Sequence, residues 1–116
     1  MIDIRSNKGS KEIQHFLIFN HKYMKNYSLI IGIDISKLKL DIIGINTKSE
    51  TIVQHQVINN KKSKINLFLK KIIKKHGKDN VLIAFENTGV YGYILSFSIH
   101  KMNIDYCNLS ALEIHR

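Results

Sequence analysis

Five of the seven residues between Leu29 and Ile35 are leucine or isoleucine. A short, nearly continuous apolar run is what a strand buried on both faces requires, and it constrains the fold more than any other part of the chain. The run predicts a first strand ending near Asp34. Residues 38–45 repeat the pattern after a brief break, and residues 51–58 follow the polar turn Asn46-Thr47-Lys48-Ser49. Connections this short join strands only as an antiparallel meander.

Ser63 then stands where a helix N-cap belongs. Ile65, Phe68, Leu69, Ile72, Ile73 and His76 follow at helical spacing, and Gly77 stops the helix. Residues 81–85 predict a fourth strand, 90–102 a second helix apolar nearly all round with Ser96 and Ser98 allowing close packing, 105–108 a fifth strand, and 111–116 the start of a further helix. The order βββαβαβ has a topological consequence. A right-handed crossover through the first helix makes strand four parallel to strand one and its neighbour, with strand two on the other side.

The chain of 116 residues suits one domain, and 44% apolar with 23% charged residues is the composition of a folded protein, not a disordered one. Residues 1–26 lack a sustained period and read as a loosely ordered leader, with Met24 a second candidate start of translation. No stretch reads as a signal peptide or membrane span. The single cysteine, Cys107, forms no internal disulfide and reads as core packing, which suits a reducing, cytoplasmic setting. The net charge of +9 is concentrated: residues 61–78 contain eight lysines and no acid. Lys70, Lys71, Lys74 and Lys75 gather on the polar face of the helix, with Lys61, Lys62, Lys64 and Lys78 flanking them. Such a face tracks a phosphate backbone, rests on an anionic membrane surface, or is simply solvated. The six histidines show no zinc-site spacing.

Asp34 and Glu86 each interrupt an apolar strand where it leaves the core, and the predicted topology makes the two strand ends neighbours. Paired carboxylates there suit metal-assisted phosphoryl transfer, in which hard-oxygen ligands hold divalent cations. The alternative is local: Asp34 capping the Ser36-Lys37 turn and Glu86 capping the following helix. Asp41 is expected to face solvent from the second strand. Tyr91 and Tyr93 are expected to serve helix packing and not base stacking.

Two blocks, Ile31-Gly32-Ile33-Asp34-Ile35-Ser36-Lys37 with Leu40-Asp41, and Ala84-Phe85-Glu86-Asn87-Thr88-Gly89-Val90-Tyr91-Gly92, together with the ending from Asn108, carry a family resemblance. Residues 27–116 resemble the N-terminal RuvC-like domain of DEDD-type insertion-sequence transposases, the recombinases guided by a bridge RNA. The resemblance implies a C-terminally truncated RNase H-like α/β domain, with Asp34 and Glu86 as the first two acidic metal ligands and Mg²⁺ as the ion. The family's remaining two aspartates and its serine-bearing domain would lie past Arg116, so the chain is expected to be inactive by itself. DNA, a guide RNA and further copies of the chain are the implied partners, and no membrane. Leu109 departs from the proline the family usually places after the residue matching Asn108. A non-catalytic nucleic-acid-binding module remains an alternative. An actin-like or sugar-kinase ATPase is a weaker one, because Ser36-Lys37-Leu38 replaces the glycines that would cradle phosphate.

Overall fold

The computed structural model describes residues 26–86, 89–109 and 113–115. The first 25 residues of the expected leader, including Met24, lie outside them, as do Asn87, Thr88 and Arg116. The strands are β1 (Leu29–Ile35), β2 (Lys39–Asn46), β3 (Thr51–Asn59), β4 (Val81–Phe85), β5 (Tyr106–Asn108) and β6 (Glu113–His115). Two helices, α1 (Lys62–His76) and α2 (Tyr93–Lys101), follow β3 and β4 respectively, and single 3₁₀ turns occupy Lys78–Asn80 and Val90–Gly92.

The described strands form one mixed sheet in the order β3-β2-β1-β4-β5-β6. As the meander and crossover require, β1 pairs antiparallel with β2 and parallel with β4. β5 adds parallel to β4, and β6 returns antiparallel to β5. Alternation along β1 and β4 divides the core. Leu29, Ile31, Ile33, Val81, Ile83 and Phe85 meet Ile65, Phe68, Leu69 and Ile72 of α1 and Leu95 and Ile99 of α2. On the other face Ile30, Ile43, Ile45, Leu82, Ala84 and Cys107 cluster with Tyr27. Cys107 is buried, and desolvation pushes its thiol pKa up, which keeps it in the unreactive form. The Tyr27 hydroxyl donates to Asp105 Oδ2 at 2.8 Å, tying the entry of β1 to the entry of β5.

Three local expectations are corrected. The helix begins at Lys62, because Lys61 is the extended N-cap residue and the Ile65 amide already bonds the Lys61 carbonyl at 2.9 Å; Ser63 therefore lies inside the first turn. No side chain caps this helix, so its stability comes from the buried Ile65, Phe68, Leu69 and Ile72. The second helix is shorter than predicted, opening as a 3₁₀ turn and ending at Lys101. Where a helix was expected to start, residues 113–115 pair with β5 instead: the alternating Leu-Glu-Ile-His suits a strand, and an open sheet edge rewards it with hydrogen bonds that a three-residue helix cannot make.

Burial sets a clear contrast between sites. Ile83→Ala, at the centre of the helix-facing core, should cost about 2 to 5 kcal/mol in urea unfolding. Val57→Ala, half-exposed on β3, should cost less than about 0.5 kcal/mol. Equal losses would contradict the assignment of β3 to the sheet edge.

Candidate functional site

The register of β1 against β4 runs from Leu29 opposite Val81 to Ile33 opposite Phe85. Asp34 and Glu86 are the next positions on each chain, so the two acids follow the last paired residues of adjacent parallel strands. Continuing the alternation assigns both to the face of Ile30 and Leu82, away from the helices. Asp34 is half-buried and Glu86 exposed. The hydrogen bonds of the β1–β2 turn are made by Ser36: its amide and its hydroxyl both donate to the Lys39 carbonyl, at 3.0 and 2.9 Å. Neither the 3₁₀ turn at Val90 nor α2 carries a side-chain N-cap bond. The capping role open to Glu86 in the sequence is thus not filled, and Ser36 bonds across the turn that follows Asp34.

Asp41 departs from expectation. It is only 4% exposed, and it sits opposite Asp34 in the β1–β2 register. The solvent-facing reading overlooked that β2 lies between two strands, with the neighbouring β3 supplying a partner. His55 Nε2 donates to Asp41 Oδ1 at 3.1 Å. A buried carboxylate without such a bond would cost several kcal/mol. Three adjacent strands therefore bring acids to one end and one face of the sheet. Among the described residues, however, no three His, Cys, Asp or Glu side chains converge as a metal-binding group.

One residue that sequence reasoning missed holds this end of the molecule together. Asn60, between β3 and α1, donates from Nδ2 to the Ser36 carbonyl at 2.9 Å and to the Tyr91 carbonyl at 3.0 Å. Its own amide donates to Leu38 O at 2.9 Å. The turn after Asp34 and the segment after Glu86 are thereby fastened to each other through a single side chain. Nothing in the sequence marks Asn60, which reads as an ordinary turn residue ahead of the lysine run.

From Asn60 the chain enters α1 at this same end of the sheet, since Asn59 is the register partner of Lys39. All eight lysines of residues 61–78 are exposed. His76 does not add to their charge, because burial, and then repulsion from Lys75, lower its pKa below the ordinary value. Lys62 Nζ lies 5.9 Å from the centre of the Phe97 ring on α2. Contrary to the packing role expected for them, Tyr91 and Tyr93 are exposed, Tyr93 at 71%. The physical reason is that α2 has α1 on one flank only, and its apolar character continues round to the side that no described element covers.

Comparison with known proteins places this geometry. The model of the IS110-type DEDD family, described as a transposase, matches residues 31–116. The chain belongs to that transposase family. Among solved structures it is similar to RuvC of T. thermophilus, determined in complex with a Holliday junction substrate, with a TM-score of 0.53 and 8% identity. The similarity covers 71% of this chain and 64% of RuvC, and at that identity it establishes the fold, which is RNase H-like. No curated protein sequence matches.

In this transposase domain the Asn60 bridge makes a testable demand. Asn60→Ala removes two hydrogen bonds to backbone carbonyls and should cost about 1 to 2 kcal/mol in urea unfolding. Asn60→Asp, which sets a carboxylate against the same two carbonyls, should be the more damaging of the pair at neutral pH. An Asp variant as stable as wild type would show that the bridge contributes nothing.

Proposed function

We propose that this domain supplies the first two carboxylates, Asp34 and Glu86, of a divalent-metal site for DNA strand cleavage and transfer by an insertion-sequence transposase. The observation that carries the reading is the β1–β4 register, which sets the two acids at adjacent strand ends within the segment the family model matches. Their donor chemistry fits Mg²⁺, which prefers hard carboxylate oxygens and retains several waters. Mg²⁺ bound there would polarise phosphoryl oxygens. The chain's own contribution is to hold the two ligands on the ends of rigid strands, and to keep Asp41 nearby in a state satisfied by His55.

Two carboxylates are a thin ligand set. Two Mg²⁺ ions bring +4 where Asp34 and Glu86 supply −2, so metal held by these residues alone would be weakly bound and poorly oriented. The remaining acids, the nucleophile, a guide RNA and assembly with further copies belong to the fuller machinery that the family resemblance implies. DNA is the proposed partner of the lysine face, consistent with a RuvC relative solved on a Holliday junction. None of the helices among the described residues is long and apolar enough to cross a membrane.

Two outcomes follow. If the lysine face neutralises five phosphates, log K for duplex DNA should fall against log salt with a slope of roughly −4 to −5. Replacing Lys70, Lys71, Lys74 and Lys75 with Gln should remove most of that slope, and an unchanged slope would discard the face as the binding surface. The 116-residue chain should not nick supercoiled plasmid in Mg²⁺ or Mn²⁺. Nicking that disappears in Asp34→Ala would prove that two carboxylates suffice and would overturn the expected inactivity.

A further inference from the structure

The lysine face accounts for binding to phosphate, yet the exposed aromatic edge of α2 has no role in that. Tyr93 and Phe97 are one helical turn apart, with ring centres 6.4 Å apart and planes inclined by 28°. Both are large apolar side chains left open, at 71% and 48% exposure. The Phe97 ring also carries the Lys62 ammonium on its face. Beside them, Gly89, Val90, Tyr93 and Ser96 line a shallow pocket of about 420 Å³. Two adjacent exposed aromatic rings form a patch whose covering by a ligand would gain hydrophobic free energy.

Charge selects the occupant. The sequence has no Asp or Glu from residue 61 to 78, nor from 87 to 104, so both elements that border the rings are free of acid. Lys61, Lys62 and Lys64 stand at the end of α1 nearest the rings, and His100 and Lys101 close α2. A nucleic acid with unpaired bases uses both features at once, stacking its bases on the rings while its closely spaced phosphates meet the cations. A duplex offers no base faces except at its ends.

We infer that Tyr93 and Phe97, with Lys62, form a stacking platform for the bases of single-stranded nucleic acid. It deepens the proposed function and rests on it, since the platform lies on the segment that follows Glu86, and Asn60 ties that segment to the turn after Asp34. The rings therefore belong to the segment that follows Glu86 in the chain and that Asn60 fastens at Tyr91 to the turn after Asp34. Strand transfer needs an opened strand positioned beside the metal site, and lysines that follow a duplex backbone do not select one.

The test uses the 116-residue chain, without metal, and a fluorescein-labelled 15-nucleotide oligo-dT read by anisotropy across a salt series, beside a 15-base-pair duplex. The double variant Tyr93→Leu/Phe97→Leu keeps apolar bulk and removes the stacking faces. It should weaken oligo-dT binding by roughly tenfold or more at every salt concentration, with the salt slope unchanged and duplex affinity altered less than about twofold. Because both rings are exposed, the variant should unfold at the wild-type urea concentration; should it not, Phe97→Leu alone is read with Tyr93→Phe as the stacking-competent control. Wild-type affinity for oligo-dT in the Leu variants would overturn the platform. So would equal losses on single strand and duplex, or a variant that changes only the sedimentation of the chain, which would make the rings a protein interface. The broader reading fails separately, if the lysine-to-Gln variant keeps its duplex salt slope while the ring variants still discriminate single strand.

Discussion

The pairing of β1 with β2 on one side and β4 on the other is the constraint on which everything else in this domain depends. Because β1 is covered along both faces, its register is pinned: a shift of β1 by one residue would carry Ile30 to the helix side and drive Ile31 and Ile33 out of it. The same pinning fixes where β1 and β4 end, and so where Asp34 and Glu86 stand. A functional site on strand ends inherits the rigidity of the strands, which loops cannot offer.

That constraint explains what the sequence makes legible. The placement of β1 between β2 and β4 follows from short connections and a right-handed crossover, and the lysine face of α1 from periodicity, whereas β6, expected as helix, was not legible. Asp34 and Glu86 stand out for a related reason: a carboxylate that ends an apolar run is conspicuous without knowledge of its neighbours. Asp41 is different. Its burial depends on β3 covering that end of β2 and on His55 arriving from a register with a bulge between Gly44 and Ile45, which no one-strand pattern reveals. Asn60 is a purely tertiary bridge between three segments, and its type and position are those of any turn residue. The exposure of Tyr93 and Phe97 is hidden in the opposite way, because a helix apolar on every side does not say which of its sides finds a partner.

The placement of Asp41 also bears on the electrostatics of the acid end. Carboxylates directly opposite each other on antiparallel strands repel, and Asp34 with Asp41 is such a pair. His55 moderates this from the β3 side through its bond to Asp41. A cation near Asp34 would moderate it from the other side. On this view the buried Asp41–His55 contact is a fixed part of the field that any ion held by Asp34 and Glu86 would experience, supplied by the antiparallel half of the sheet, while the ligands' spacing is supplied by the parallel half.

Opposite charges are thus distributed along one direction of the molecule. α1 leaves the acid end at Asn60 and returns toward the entry of β1, where Ser28 Oγ reaches Asn80 O at 3.4 Å. Its 15 residues span roughly 22 Å, so the lysines extend from the acid end to the far end of the sheet. Because they lie on the outer side of the helix layer, phosphate bound by them, as proposed, would not neutralise Asp34 and Glu86, which belong to the other face. At the Lys62 end, α1 borders the aromatic edge of α2. On the proposed reading electrostatic capture acts over the whole helix, while base contact is made where Lys62 meets Phe97. On the proposed reading the fold separates the attraction that gathers nucleic acid from the site where a strand is presented for chemistry, and the Asn60 bridge links the turn after Asp34 to the segment that carries the rings.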